Sequence, residues 1–258
     1  MKLYAKFLGL HLKAALQYKM SFVLSALSQF LVSFNTLLGI LFIFNRFHNI
    51  RSYSLSEVLL CFSVVQISYT LAEFFMRGFD SFAVIIGNAE FDRILLRPRA
   101  VLLQVICNKA AFNKLAKLPQ GILMLAYGIA GTDIDWNIGR ITALILMIFG
   151  GIIIFACLFV IYAGICFFTL EGLEFMNILT DGAKEYGKYP LDIYGRRVLK
   201  FCTYIVPYGL FQYYPFLYLT GRTDLAWYAF IPLLTLCFTL PSFLLWRFGI
   251  RHYKSTGS

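Results

Sequence analysis

Charge is scarce in this 258-residue sequence: 14% of residues are Asp, Glu, Lys or Arg, 60% are apolar, and the mean hydropathy is +0.73. A water-soluble domain carries about 25% charged residues, so this chain has too little polar surface to clothe a globule. Disorder is excluded as well, because it needs low hydrophobicity. Histidine is almost absent. His11, His48 and His252 fall in an N-terminal arm, a loop and a tail, places that do not converge on one metal. Six cysteines are too sparse for a disulfide scaffold. None forms a C-x-x-C pair, and most sit within or beside apolar runs, where Cys behaves as a small apolar residue. No metal or cofactor site is readable. Met1–Lys19 lacks a small-residue cleavage site and precedes a run too long for an h-region, so it is not expected to be a signal peptide. No internal repeat and no matched pair of Gly/Pro-broken runs is present, which disfavours a secondary transporter.

What the sequence has is long apolar runs. A helix crosses the hydrocarbon in about 20 residues. Six candidates meet that ruler: Ser21–Phe44, Val58–Phe75, Ala111–Ala130, Ile141–Leu170, Val198–Leu219 and Ile231–Trp246. The runs are continuous, whereas a porin-type barrel shows alternation over about ten residues. The expected fold is therefore an all-α integral membrane domain over 1–258. It has an arm at 1–20, a loop at 76–110, a polar segment at 171–197 and a tail at 247–258. The fifth crossing has a second reading. Ile165–Gly187 also fits a crossing, and Tyr189–Leu219 would then be a re-entrant hairpin on the outer face.

The formal charge of +10 would ordinarily raise nucleic acid as a partner. Sorting the charges by loop points elsewhere. Nineteen of the 23 Lys and Arg fall on one face, leaving Arg46, Arg51, Arg140 and Arg222 on the other, where four acids balance them. Positive loops stay in the cytoplasm, so both termini are expected inside and the basic excess faces anionic lipid, with no need for nucleic acid. Under the second reading the bias shrinks to 15 against 8 and keeps its sign. Trp136, Trp227 and Trp246 fall at run ends, the headgroup level that indole prefers.

Leu3, Phe7, Leu10 and Ala14 make one helical stripe with Lys2, Lys6 and Lys13 beside it. That suits either an interfacial helix or a basic flank that only sets topology. Lys114 and Lys117 read as snorkelling anchors or as part of a path. Gly182-Ala-Lys-Glu-Tyr-Gly187-Lys188-Tyr189 mimics a phosphate loop, but Tyr stands where Ser or Thr must hold Mg²⁺, and no strand precedes it. This chain is not expected to hydrolyse ATP. In Gly78–Arg99, charges of both signs surround Phe91, Ile94, Leu95 and Leu96. That composition fits a protein-docking surface, and equally a solvated loop dipping into the interface.

Several segments together resemble the permease subunits of ABC-2-type exporters, in the branch called ABC-2 family transporter proteins. They are Glu90-Phe-Asp-Arg-Ile-Leu-Leu-Arg-Pro98, Glu174-Phe-Met-Asn-Ile-Leu-Thr-Asp-Gly182, Tyr189-Pro-Leu-Asp-Ile-Tyr194, Val206-Pro207 with Tyr213-Tyr-Pro215, and Tyr253-Lys-Ser-Thr-Gly-Ser258. Asp181 departs from the aromatic residue that relatives tend to carry before Gly182. The resemblance implies a six-helix, type V exporter-like permease in a bacterial plasma membrane, with an interfacial N-terminal helix. It also implies a coupling helix carrying Glu90, Phe91, Asp92, Arg93, Leu96, Arg97 and Pro98. Two copies of a separate ABC ATPase would hold ATP and Mg²⁺, and a second permease, itself or a sibling, would complete the pair. Glu174, Asn177, Gly182, Tyr189, Pro190, Tyr194, Pro207 and Pro215 would be structural motif positions. Tyr204, Tyr208, Phe211, Tyr213 and Tyr214 are candidate linings for an amphiphilic cargo, or else packing aromatics. The rival readings are a non-transporting anchor or assembly subunit, and a membrane-embedded lipid enzyme. The enzyme would need convergent ionisable groups where Glu73 is the clearest one.

Overall fold

The computed structural model describes residues 2–47, 49–169 and 174–255. His48, Leu170, Glu171 and the last three tail residues named above lie outside them, as does the side chain of Glu174. Among the described residues there are thirteen α-helices, three 3-10 stretches and no strand. α1 (Lys2–Gln17) and α2 (Lys19–Arg46) part only at Tyr18. α3 (Leu55–Asp80) is followed by three short helices, α4 (Phe82–Gly87), α5 (Glu90–Leu95) and α6 (Val101–Asn108). A 3-10 stretch, Phe112–Lys117, runs into α7 (Leu118–Ala130), and α8 (Ile138–Cys166) follows. Next come α9 (Glu174–Tyr186), a 3-10 turn at Leu191–Tyr194, α10 (Arg196–Tyr204), α11 (Tyr208–Gln212) and α12 (Tyr214–Leu219). A final 3-10 stretch, Ala226–Phe238, leads into α13 (Thr239–His252).

Four of these stretches are long and apolar enough to cross a membrane: Lys19–Arg46, Leu55–Gly87, Ile138–Cys166 and Ala226–His252. They overlap the runs expected at 21–44, 58–75, 141–170 and 231–246. The centre is α3, where every residue from Val58 to Thr70 is buried. A helix that is apolar all round is the one its neighbours enclose, and α7, α8 and α9 all pack on it. Its start is fixed by a capping box. The Ser54 hydroxyl accepts from the Glu57 amide at 3.3 Å and the Glu57 carboxylate accepts from the Ser54 amide at 2.8 Å, which satisfies two helix-end donors at once. By contrast α2 buries only Ser33, Ile40 and Phe44, leaving most of its surface open.

The run expected as one crossing at 198–219 is three short helices instead. Pro207 precedes α11 and Pro215 sits in the first turn of α12; a ring without an N–H starts a helix readily but does not continue one. Both ends of this segment lie at the same end of the bundle, beside the loop that joins α2 to α3. Before it, the Asp192 carbonyl accepts from Arg51 at 2.7 Å and the Asp192 carboxylate accepts from the Tyr53 hydroxyl at 3.2 Å. After it, Arg222 donates to Glu57 at 2.9 Å, and its guanidinium lies 4.0 Å from the centre of the Tyr53 ring. Burial, and after it the Asp192 carboxylate, push the Tyr53 phenol well above its ordinary pKa, so it remains a donor. The segment is thus a hairpin that dips into the bundle and returns. Backbone freed at its base is satisfied by Gln212, which donates to the carbonyls of Gly187 and Tyr189 at 2.9 and 3.0 Å. The polar stretch expected at 171–197 contains α9, which lies along α3 with Gly187 against Val65.

Close helix approach depends on absent side chains, as it does wherever apolar solvent removes the drive to bury surface. A Cβ on Gly128 would stand 2.7 Å from the Leu60 Cβ and 2.9 Å from its backbone. One on Gly182 would meet nothing nearer than 3.5 Å. Gly128→Leu is therefore expected to cost about 1–3 kcal/mol through overpacking, read as a lowered melting temperature in detergent. Gly182→Ala, in a helix interior where Ala outranks Gly, is expected to leave it unchanged or raise it.

Candidate functional site

The loop after α3 makes a compact turn whose two faces differ. Ala89, in the left-handed region at φ 53°, launches α5. Phe91 is fully buried, with ring centroids 5.3 Å from Phe82, 5.1 Å from Phe167 and 4.9 Å from Tyr253. Trp246 of α13 closes the cluster at 5.1 Å from both Phe79 and Phe82. Asp92 turns the same way: its carboxylate accepts from Tyr253 at 3.1 Å and from Ser255 at 2.6 Å. Two segments some 160 residues apart in sequence, the α5 turn and the tail, are therefore one structure. On the opposite face Arg93, Leu96, Arg97 and Pro98 are exposed, Leu96 at 84%. Glu90 is half-buried. Of the seven residues expected to contact a partner, then, Phe91 and Asp92 anchor the turn, and the four exposed ones form its outward surface.

The five candidate lining aromatics do not share a surface. Tyr208 and Phe211 are buried; the Tyr208 hydroxyl donates to the Leu179 carbonyl, and Phe211 lies 6.0 Å from Phe155. Tyr213 and Tyr214 are half-buried and meet edge to face, with ring centroids 5.4 Å apart. Tyr204 alone is well exposed. Among the motif positions, Pro190, Pro207 and Pro215 are buried and Tyr189 is half-buried. Tyr194 and Asn177 are exposed, and Gly182 lies within α9. The phosphate-loop lookalike is the last turns of α9, and the Gly187 amide donates to the Ala183 carbonyl, so its backbone is committed to a helix end and does not cradle an anion.

The structure also assembles a buried charge cluster. Glu73 is 3% exposed. Its carboxylate takes Lys114 at 2.7 Å and Lys117 at 3.2 Å, with Arg77 at 3.9 Å and Asp80 paired to Arg77 beyond. The 3-10 conformation explains the convergence: at three residues per turn, positions i and i+3 eclipse, so both lysines leave Phe112–Lys117 on one face. One helical turn away, the Tyr69 hydroxyl donates to Asp181 at 2.6 Å, and the ammoniums of Lys117 and Lys184 lie 5.8 and 5.6 Å from the Tyr69 ring centre. Lys114 and Lys117 are ion-pair partners that link α3 to the 3-10 stretch leading into α7, not free anchors. Asp181 ties α9 to α3. The sequence signal was a lone acid in one apolar run facing two bases spaced by three in the next.

A protein-family model described as ABC-2 family transporter protein matches residues 30–257, which is most of the chain. No curated protein and no solved structure matches.

Removing one partner of a buried ion pair strands the other charge, at a cost of about 3–5 kcal/mol. Glu73→Gln is therefore expected to lower the unfolding midpoint in detergent sharply. Glu73→Gln with Lys117→Met should recover part of the loss, because the most buried cation is then gone. A double variant no more stable than the single one contradicts this assignment.

Proposed function

Because this chain belongs to the ABC-2 family of transporter proteins, we propose that it is the permease subunit of an ATP-driven exporter, moving an amphiphilic or hydrophobic cargo out of the cell. The observation that carries the reading is the two-faced α5 turn. Its inward face is fixed by Phe91 and by the Asp92 bonds to Tyr253 and Ser255. Its outward face offers Arg93, Leu96, Arg97 and Pro98. A rigid element with apolar and basic groups on its free side suits a cleft in a separate ATPase, which would hold ATP and Mg²⁺ and supply the energy. Force on the turn would pass through the Trp246 cluster to α13 and through α4 to α3.

In this reading α5 and both termini face the cytoplasm, where the basic excess lies. Phe112–Ala130 is then the third crossing. Six 3-10 residues at about 2.0 Å and thirteen α residues at 1.5 Å reach about 31 Å, the thickness of the hydrocarbon. The run Ile165–Gly187 is the fifth crossing, of which the helix Glu174–Tyr186 covers about 20 Å at 1.5 Å per residue, and Tyr189–Leu219 is a hairpin re-entering from the outer side. Polar groups facing lipid are costly, and α9 exposes Asn177, Asp181 and Glu185, so this face turns toward an aqueous passage beside a second permease. Irregular backbone within the membrane is tolerated where it lines such a passage.

Two measurements test this. Co-purification with the ATPase is expected to fall at least about tenfold for Arg93→Glu with Arg97→Glu, each charge reversal at a docking rim costing more than a lost contact, while Arg247→Glu keeps it. Retention by the double variant would remove the docking assignment. For the topology, Arg197→Cys in a Cys237→Ser background is expected to react with a membrane-impermeant maleimide from outside intact cells. Reaction only after lysis would return 171–197 to the cytoplasm.

A further inference from the structure

Between the arm and the α5 turn lies a cavity of ≈ 250 Å³. Phe7 of α1, Ile94 of α5 and Leu103 of α6 form its apolar wall, and Arg97 and Arg99 stand at its mouth. Gln104 shapes that mouth: its amide nitrogen donates to the carbonyls of Ile94 at 3.1 Å and Arg99 at 3.0 Å, which fixes the turn that carries both arginines. The arm is held alongside by His11, whose ring nitrogen lies 2.9 Å from the Cys107 carbonyl. Among the described residues neither Arg97 nor Arg99 makes an ion pair, and of the two carboxylates on α5, Glu90 and Asp92, Asp92 is occupied by Tyr253 and Ser255. Two uncompensated guanidiniums over an apolar cleft are complementary to a phosphate carrying hydrocarbon. A guanidinium binds phosphate oxygens through paired, charge-assisted hydrogen bonds. Arg93, Leu96 and Pro98 are exposed and do not line the cavity, so Arg97 is the one residue that the cavity shares with the docking face.

We propose that this cavity is a binding site for one anionic glycerophospholipid of the phosphatidylglycerol type. Its phosphodiester sits on Arg97 and Arg99, and the start of an acyl chain lies against Phe7, Ile94 and Leu103. The site rests on the reading that α1 and the α5–α6 turn lie at the cytoplasmic surface of the bilayer, where anionic headgroups concentrate. A bound lipid would tie the arm to the docking turn and make the turn's position sensitive to membrane composition.

The test uses the full chain without any ATPase, so its outcome is independent of docking and of transport. The purified chain is incubated with phosphatidylglycerol or phosphatidylcholine in detergent, and bound lipids are counted by native mass spectrometry. One phosphatidylglycerol is expected to bind at least about tenfold more tightly than phosphatidylcholine, since both carry the phosphodiester but only phosphatidylcholine adds a quaternary ammonium, which two guanidiniums repel. Arg97→Gln with Arg99→Gln is expected to erase that preference. So is Leu103→Trp, which fills the cleft and leaves both charges in place. Lys6→Gln with Lys13→Gln on the arm should change it less than about twofold, because diffuse attraction is weak and screened. Millimolar glycerol phosphate should not displace the lipid. The proposal is overturned by equal retention of both lipids, by displacement with glycerol phosphate, or by loss in the arm variant with none in the cavity variants.

Discussion

The enclosure of α3 through its middle governs the rest of this structure. Every residue from Val58 to Thr70 is buried, so the polar side chains of the helix turn to partners within the protein, with the Thr70 hydroxyl left without one. Glu73 finds Lys114 and Lys117, Tyr69 finds Asp181, Gln66 reaches Ser33 of α2 and Ser68 reaches the Ile148 carbonyl of α8. These bonds fix which neighbour occupies which side and at what height. Apolar packing alone would leave helices free to slide, because one Leu-lined contact resembles the next.

The same enclosure ties the two ends of the molecule together. At one end Glu57 both caps α3 and holds Arg222, so the start of the central helix and the exit of the hairpin are one joint. At the other, α3 departs from helical geometry at Met76, with φ −104° and ψ 15°, beside Arg77 and the Glu73 cluster. The chain bends there, where ion pairs replace apolar contacts, and passes into α4 and the α5 turn. That turn is braced by aromatic rings from α3, α4 and α13. A displacement of α5 would therefore be shared by the central and last helices of the bundle.

Much of this was legible in the sequence. Composition forced the membrane assignment, and long uncharged runs such as Ile141–Leu170 overlap helices of crossing length, because hydrocarbon thickness imposes a length that sequence displays. The α5 motif was legible as a unit, but not which residues face inward; Phe91 and Asp92 read as contact residues because their true partners, Tyr253 and Ser255, lie at the far end of the chain. The hairpin was harder. Val198–Leu219 is as apolar and aromatic as a crossing, and the side chain that stabilises its return, Gln212, is unremarkable in sequence. The charge cluster escaped for a third reason. Lys114 and Lys117 converge on Glu73 only because Phe112–Lys117 is 3-10, and a local conformation set by packing is not written in composition.

On the proposed permease reading, with a second copy of this chain as the other permease, α5 would move as one body with α13 while the exposed faces of α9 move against that copy. Spin labels at Leu96→Cys and Phe248→Cys, and separately at Ile178→Cys, read both distances by pulsed electron resonance in the ATPase complex, with and without bound nucleotide. The account predicts an unchanged Leu96–Phe248 distance and a nucleotide-dependent Ile178–Ile178 distance between permeases. A Leu96–Phe248 distance that shifts on nucleotide binding while the Ile178 pair stays fixed would contradict it.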